Sequence, residues 1–263
     1  MLSQAQTQAA ADLLFRHWQE GRHLTALPQD LRPGTRAEGY AIQALLESRT
    51  AQPLFGWKIA ATSREGQAHI GVDSPIAGRL LAERAHESGA AVPLGANKMR
   101  VAEPEFAFRM AHTLLPRAAP YKTGEVMDAV DTLHPAIELP DSRFDDFATV
   151  GAPLLIADNA CAHEFVLGPA APASWRSLDL ARHPVSGAVA GKIEREGSGA
   201  AVLGDPRITL IWLVNELSGL GIPLADGQVV TTGTSMVPLP IDRGDRVSAD
   251  FGALGVVALR LAG

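Results

Sequence analysis

Residues 101–108 read VAEPEFAF, and this short stretch decides how the rest of the chain is interpreted. Alternate side chains of a β-strand point to the same face, so Glu103 and Glu105 would lie side by side, opposite Phe106 and Phe108. Two like charges at that spacing repel each other unless a cation holds them. A metal ion, a lysine or plain water could fill that role. Because Pro104 cannot donate to a β-ladder, a solvated edge strand is the plainer interpretation.

Two other segments carry charged residues inside apolar runs. Glu138 interrupts HPAIELPDSR, and a third carboxylate would suit Mg²⁺ or Mn²⁺, which prefer oxygen ligands. In the same segment, Asp141 and Arg143 are either a surface ion pair or groups that do not bind the metal themselves but orient the residues that do. Lys58 lies in FGWKIAATS. Most such lysines extend to solvent, but one beside carboxylates would act as a charge partner or an acid–base group.

Length, charge and composition exclude several classes of protein. The chain has 263 residues and a net charge of −6, so it lacks the basic excess typical of nucleic-acid binders. Cys161 is the single cysteine, which excludes an internal disulfide and fits a reducing compartment. No apolar run approaches the roughly 18 residues of a membrane span, and the N-terminal segment lacks the pattern of a signal peptide. We therefore expect a cytoplasmic protein that does not contact a membrane.

The pattern of apolar and turn residues predicts an α+β protein. An N-terminal helical region (1–52) is expected to pack on a β-rich catalytic region (53–263), giving one compact domain. Helices are predicted at 4–20, behind Thr35, at 122–133 and at 205–219, where Asp205 caps the helix and Pro206 suits its first turn. Short apolar runs bounded by turn residues predict the strands, including the run at 151–162. The glycine-rich segment 197–204 is interpreted as a hairpin turn, because it lacks the Lys-Ser/Thr ending of a phosphate-binding loop.

Taken in order, these segments resemble one known family. The motifs are GWKIAATS, GVDSP, EPEFAF, HPAIELPDSR, IADNACAHEFVLG, VVTTGT and DRGDRVSADFGALGVVAL. The chain is similar to the 2-keto-4-pentenoate hydratases and 4-oxalocrotonate decarboxylases of the fumarylacetoacetate hydrolase superfamily, from about residue 35 to the C-terminus. Each motif is weak alone, but EPE followed about thirty residues later by HPAIE and DSR is a specific combination.

The resemblance implies a fold, a metal site and a substrate pocket. The fold would be the mixed β-roll of that superfamily. Glu103, Glu105 and Glu138 match its metal ligands, so the cofactor would be Mg²⁺ or Mn²⁺. Lys58 matches its active-site lysine, and Asp73 is the acidic residue that remains near the position of a second catalytic group. The residues expected at the substrate are Asn159, Thr232, Gly233, Thr234, Asp141 and Arg143.

The implied activity is metal-dependent hydration of a small-molecule 2-hydroxy-2,4-dienoate to a 4-hydroxy-2-oxo acid. The alternatives are decarboxylation of a 2-oxo-enedioate such as 4-oxalocrotonate, another C–C cleavage of the superfamily, and a non-catalytic partner subunit. A decarboxylase would need a cation for the second carboxylate, for which Arg79, Arg100 and Arg143 are candidates. The resemblance also implies a homo-oligomer, with association to a sister enzyme of the pathway as a further expectation.

One departure from the family pattern lies next to the expected pocket. Many hydratases carry an aspartate just after the GVD motif, whereas this chain has Pro75-Ile76-Ala77-Gly78. The resulting loss of an acid–base group suggests a subgroup whose substrate differs from pentadienoate.

Overall fold

The computed structural model describes residues 1–263, which form six α-helices and thirteen β-strands. The helices are α1 (Gln4–Glu20), α2 (Arg36–Ala44), α3 (Arg64–His69), α4 (Thr123–Asp128), α5 (Ala152–Ala157) and α6 (Pro206–Gly219). The strands are β1 (Gly56–Ala60), β2 (Ile76–Leu80), β3 (Ala85–Glu87), β4 (Ala91–Val92), β5 (Val101–Met110), β6 (Val130–Leu139), β7 (Glu164–Leu167), β8 (Pro184–Val189), β9 (Ile193–Ser198), β10 (Val229–Thr234), β11 (Leu239–Pro240), β12 (Arg246–Asp250) and β13 (Val256–Leu261). None of the six helices combines the length and the apolar character needed to cross a bilayer.

Two mixed sheets form the β part of the protein. The larger has the order β2-β1-β10-β5-β6-β7-β3, with β11 pairing to the far end of β5. The smaller has the order β4-β13-β12-β8-β9. Strand β1 runs parallel to β10, whereas β10, β5, β6 and β7 are successively antiparallel. The two long strands β5 and β6 therefore lie in the middle of the larger sheet, where both faces are covered.

The central pairing explains why the VAEPEFAF stretch is not a solvated edge. Strand β5 has β10 and β11 on one side and β6 on the other. Pro104 nevertheless costs little, because its carbonyl still accepts hydrogen bonds from the backbone N–H and the hydroxyl of Ser235. Phe106 and Phe108 are fully buried in the main apolar core, as the alternation predicted.

The N-terminal helices form where the capping signals predict them. Ser3 caps α1 and exchanges hydrogen bonds with Gln6, and the Thr35 hydroxyl accepts from the N–H of Glu38 at the start of α2. Apolar side chains of α1 and α2 pack together with Phe144 and with α5. The helical region is thus joined to the β-rich region by a shared apolar cluster, while the boundary near residue 53 stays a prediction.

Helix α6 confirms its sequence signals, because Asp205 accepts from the N–H of Arg207 and Pro206 occupies the first turn. Other boundaries were wrong. The helix predicted at 122–133 ends at Asp128, since the chain from Val130 onward pairs with β5 instead. Segment 197–204 is no hairpin turn: it ends β9 and continues through a short 3₁₀ turn towards α6.

The strand predicted at 151–162 was also wrong. This segment forms α5 and then a short 3₁₀ turn at Asn159–Cys161. A short apolar run has no periodicity that separates a buried helix from a buried strand, and here packing against α2 favours the helix. Helix α3 and strand β2 were not predicted at all, although Ser63 caps α3 by accepting from the N–H of Gly66.

Candidate active site

Strand register brings the three predicted metal-binding glutamates together. In the β5–β6 pair, Glu103 lies directly opposite Glu138, and Glu105 is two residues further along the same face of β5. One carboxylate oxygen from each residue lies within 4.8 Å of the others. Glu105 and Glu138 are buried, and Glu103 is partly exposed towards a cavity. The structure therefore assembles from adjacent strands the cluster that the sequence could only suggest.

Lys58 enters the same cluster from β1. Its side chain is buried, and its Nζ lies 3.1 Å from Glu138 Oε1. The ammonium also donates a hydrogen bond of 2.9 Å to the carbonyl oxygen of Ala160. Lys58 therefore does not extend to solvent but is a charge partner of the carboxylates.

The orientation of Glu105 is fixed by β10. Its Oε2 accepts hydrogen bonds from the Thr231 hydroxyl and, at 2.7 Å, from the backbone N–H of Gly233. Gly233 has φ +95°, and a Cβ there would come within 2.0 Å of the Thr62 hydroxyl oxygen. Only glycine fits this position, and the register shift in β10 between Thr231 and Thr234 aims both donors at one oxygen.

Three buried carboxylate oxygens in the cluster are poorly satisfied. Glu105 Oε1 and Glu138 Oε2 have no hydrogen-bond donor, and Glu138 Oε1 contacts only the Lys58 ammonium, at 3.1 Å. Buried acceptors of this kind are costly, and native structures normally satisfy them. Three carboxylates with one ammonium leave the cluster short of positive charge, which is the donor set that a hard divalent cation takes.

The charges in the cluster perturb one another. Burial raises the pKa of Glu103 to about 7, and the Glu138 carboxylate adds to that rise. Burial, followed by the charges of Glu138 and Glu103, holds the pKa of Glu105 well above its usual range. Burial also raises the pKa of Glu138, although Lys58 opposes the rise. For Lys58, burial disfavours the ammonium, but the neighbouring carboxylates outweigh it and raise its pKa.

A cavity of about 690 Å³ opens onto this cluster, within the usual range for small-molecule sites. Lys58 and Glu103 line it, together with apolar side chains and a smaller exposed area of polar ones. Cys161 also lines it, but burial raises the pKa of this thiol to about 12, so it stays protonated. Two acidic residues, Glu65 and Glu196, lie exposed at its walls.

Only some of the predicted substrate residues face the cavity. Gly233 and Thr234 line it. Thr232 does not, because its hydroxyl donates to the carbonyl oxygen of Phe106. Asn159 is buried away from it, where its amide accepts from the backbone N–H of Arg79 and donates to that residue's carbonyl.

Three further predicted residues lie outside the cavity lining. Asp141 accepts from the backbone N–H of Lys98 at 2.9 Å. Arg143 forms a buried ion pair with Asp158. The carboxylate of Asp73 is 91% exposed and lies 3.8 Å from the Arg36 guanidinium. The roles assigned to these three residues from the sequence stay predictions.

Two features of the site escaped the sequence analysis. The first is the carbonyl of Ala160, since no side-chain motif marks a backbone acceptor. The second is helix α3, whose residues Glu65 and His69 both line the cavity one turn apart. The signal for α3 was present in TSREG, where a serine precedes the helix and can cap it.

No family model matches the chain, but individual proteins do. The chain is 31% identical over 262 residues to 2-keto-4-pentenoate hydratase 1 of Dechloromonas aromatica (strain RCB), covering 97% of each protein. It belongs to the 2-keto-4-pentenoate hydratase family. A second family member, the 2-keto-4-pentenoate hydratase of Burkholderia vietnamiensis (strain G4 / LMG 22486), is 32% identical over 90% of this chain.

A solved structure supports the same assignment at the level of the fold. The 4-oxalocrotonate decarboxylase from Pseudomonas putida G7, complexed with magnesium and adipate, superposes with a TM-score of 0.89. The match covers 99% of both chains at 26% identity. The mixed α/β fold with a curled sheet, which matches that of the decarboxylase, therefore extends over the whole chain.

Proposed function

We propose that the protein is a hydro-lyase that adds water to a 2-hydroxy-2,4-dienoate and gives a 4-hydroxy-2-oxo acid. The observation that carries this proposal is the cluster of three glutamates beside Lys58 at the wall of a largely apolar cavity. The chain is also 31–32% identical to two 2-keto-4-pentenoate hydratases over at least 90% of its length, which supports the same reaction.

The glutamate cluster fits a divalent cation, Mg²⁺ or Mn²⁺. Glu103, Glu105 and Glu138 would each hold it through one carboxylate oxygen, and Glu105 Oε1 and Glu138 Oε2 have no hydrogen-bond donor that competes for them. When bound, such an ion supplies Lewis acidity that stabilises negative charge developing on the substrate's 2-oxygen. The related decarboxylase that was solved with magnesium supports this choice of metal.

Lys58 is the group of this chain that handles a proton next to the metal ligands. Its pairing with Glu138 keeps the ammonium charged, and the Ala160 carbonyl fixes its direction. A charged donor held in that position can give a proton to C5 of the dienolate that remains once the 2-hydroxyl proton is lost to water, which forms the 2-oxo-3-ene, or it can balance the enolate charge. Hydration at C4 then follows on the unsaturated ketone. Gly233 and Thr234 are the predicted substrate residues that stand beside this centre.

The absence of a suitable cation favours hydration over decarboxylation. None of the three candidate arginines lines the cavity. Arg79 pairs with Glu47, Arg100 pairs with Asp242, and Arg143 pairs with Asp158. Without one of them, the second carboxylate of a 2-oxo-enedioate meets no fixed positive charge. Decarboxylation stays the second candidate, because the related structure at 26% identity is a decarboxylase.

The proposal also covers the type of fold, the division of the chain and the assembly. We infer that the two sheets form the β-roll of the fumarylacetoacetate hydrolase type, carrying the site in region 53–263 with region 1–52 packed against it. Assembly into a homo-oligomer, and association with a sister enzyme, are expected from the family. The intact cluster of glutamates and Lys58 argues against a non-catalytic subunit.

An ultraviolet assay tests the proposal directly. Metal-stripped protein is mixed with freshly generated 2-hydroxypenta-2,4-dienoate, with and without Mg²⁺ or Mn²⁺. We expect metal-dependent loss of the dienol absorbance and 4-hydroxy-2-oxopentanoate as the product. Turnover of 4-oxalocrotonate with release of CO₂, and none of the dienol, would replace the hydratase with the decarboxylase.

A matched pair of variants links the activity to the site. Glu105→Gln keeps the shape and the bonds from Thr231 and Gly233 but removes one ligand charge, so it should abolish Mn²⁺ binding and turnover together. Glu194→Gln, on the exposed side of β9 and outside the cavity lining, is the control and should change neither. Unchanged Mn²⁺ binding by Glu105→Gln would overturn the ligand assignment.

A further inference from the structure

Several apolar side chains line the part of the cavity beyond the glutamate cluster. Five of them come from four separate segments of the chain: Ile70, Met99, Phe147, Met236 and Val237. The Phe147 ring stands edge-on to the ring of His69, at 5.9 Å between centroids, which joins the 145–150 loop to α3. These residues form an apolar subsite that the chemistry at the metal ligands does not use.

The fixed position of Val237 strengthens this interpretation. Its side chain is 68% exposed, although it lines the cavity. The loop that carries it is held in place, because Arg195 donates hydrogen bonds to the carbonyl oxygens of Val237 and Pro238. A large apolar side chain held open to water at a cavity mouth gains free energy when an apolar ligand covers it.

The volume of the cavity exceeds what the shortest substrate needs. At about 30 Å³ for each water-sized group, the eight non-hydrogen atoms of 2-hydroxypenta-2,4-dienoate occupy roughly 240 Å³. This is about a third of the 690 Å³ cavity. The remaining space would hold several additional carbon atoms of a longer acid.

The charges around the cavity disfavour an anionic tail. Lys58 is its only lysine or arginine and is already engaged with Glu138. The other formal charges on its walls are carboxylates, with Glu65 and Glu196 exposed outside the metal cluster. A second substrate carboxylate would lose its hydration and find His69 and hydroxyl groups but no lysine or arginine as a partner, and it would meet like charges.

We propose that the apolar subsite formed by Ile70, Met99, Phe147, Met236 and Val237 binds an uncharged alkyl or aryl tail at the distal end of the dienoate. The preferred substrate is a monocarboxylic 2-hydroxy-2,4-dienoate longer than the five-carbon acid, and not a dicarboxylate. This inference rests on the proposed function for the reacting end, but it concerns a separate part of the cavity. Each buried methylene of the tail contributes about a fourfold gain in kcat/KM.

The test compares three dienols with the Mg²⁺-loaded protein. They are 2-hydroxypenta-2,4-dienoate, 2-hydroxyocta-2,4-dienoate with a propyl tail, and 2-hydroxyhepta-2,4-diene-1,7-dioate with a charged tail. We expect kcat/KM for the propyl substrate to exceed that for the five-carbon acid at least tenfold, and the dioate to be the poorest. Equal values for the first two, or the highest value for the dioate, would overturn the subsite.

A loss of all turnover would refute the proposed function and leave the subsite to be judged by binding. Titration of the Mn²⁺-loaded protein with 2-oxopentanoate and 2-oxooctanoate separates the two questions. Tighter binding of the longer acid, by tenfold or more, supports the subsite without any reaction. Equal affinities would overturn it.

Matched valine variants locate the effect. Val237→Ala should lower kcat/KM for the propyl substrate roughly fourfold more than for the five-carbon acid. Val256→Ala, at another exposed valine, on β13 and outside the cavity lining, should leave the ratio unchanged. Met99→Lys places a cation in the subsite and should shift the preference towards the dioate. Circular dichroism and thermal melting check that each variant is folded, and an unchanged ratio in folded Val237→Ala and Met99→Lys would overturn the assignment.

Discussion

Glu103→Gln should make the metal-free protein more stable, and the gain should depend on pH. Glu103 stands opposite Glu138 in the β5–β6 pair, with its pKa raised to about 7 by burial and by that neighbouring charge. In the unfolded chain the same carboxyl titrates near its ordinary value of 4.5. Glutamine has the same shape and carries no charge, so the variant removes this titration and also relieves Glu105, whose pKa the Glu103 charge helps to raise.

The size and sign of the effect follow from the two pKa values of Glu103. Below pH 4.5 both states hold the proton, and the stabilising contribution of the protonated group is fully present. Between pH 4.5 and about 7 the unfolded chain has released the proton while the folded protein retains it, so rising pH favours unfolding. At about 1.4 kcal/mol per pH unit, wild type loses roughly 3 kcal/mol relative to Glu103→Gln by pH 7.5.

The assay is urea unfolding in EDTA at pH 4.5, 5.5, 6.5 and 7.5, followed by tryptophan fluorescence. Wild type alone is not informative, because His163 titrates in an overlapping range. Burial, with the positive charges of Arg143 and Arg84, lowers the pKa of His163 to about 3, so its contribution to stability grows as pH rises to 6.5. That contribution is the same in both proteins and cancels in their difference.

The difference in unfolding free energy should therefore increase steadily from pH 4.5 to 7 and then level off. With saturating Mn²⁺ the order should reverse, because an ion that binds only the folded wild-type cluster stabilises it by mass action. A difference that stays flat across this range, or a metal-free wild type that is the more stable protein at pH 7.5, would refute the idea that these carboxylates repel one another in a buried site.

Three other variants probe different parts of the site. Lys58→Met removes the charge partner of Glu138 and should lower kcat at least 100-fold in the dienol assay while Mn²⁺ still binds; near-normal kcat would remove Lys58 from the mechanism. Gly233→Ala drives a Cβ to within 2.0 Å of a hydroxyl oxygen and displaces the N–H that holds Glu105, so Mn²⁺ affinity should fall about tenfold or more by calorimetry. Arg143→Ala leaves Asp158 as an uncompensated buried charge and should cost about 3–5 kcal/mol in urea unfolding; a loss below 1 kcal/mol would show that the pair is solvated.

The sequence was informative where side-chain type and local spacing determine the structure. The alternation in VAEPEFAF predicted the two faces of β5, and Asp205 with Pro206 predicted the start of α6. Three glutamates inside apolar runs were recognisable as a group because buried carboxylates need partners. The first two signals are carried by residues within about ten positions of one another, whereas Glu138 lies 35 positions after Glu103 and was grouped with it by residue type alone.

The remaining features depend on contacts between distant segments. No local pattern states that Glu138 lies opposite Glu103, since register is set by the whole sheet. The tertiary contacts of Thr232 and Asn159 turn motif residues away from the cavity, towards Phe106 and Arg79. The apolar run of α5 was mistaken for a strand because six consecutive apolar residues show no periodicity that separates a helix from a strand.

The left-handed backbone of the turn that follows α5 determines where the site tolerates sequence change. Asn159, Ala160 and Cys161 all have positive φ, which costs about 1–2 kcal/mol for each residue with a side chain. This conformation aims the Ala160 carbonyl at Lys58, and every amino acid carries that same carbonyl. The lysine is thus anchored by the path of the backbone and not by a side chain, and at position 160 only the packing around the fully buried Ala160 and its positive φ limit which residues can stand there. Drift would also be constrained at Gly78 on β2, where a Cβ would come within 2.3 Å of the Asn159 carbonyl oxygen and push the turn aside.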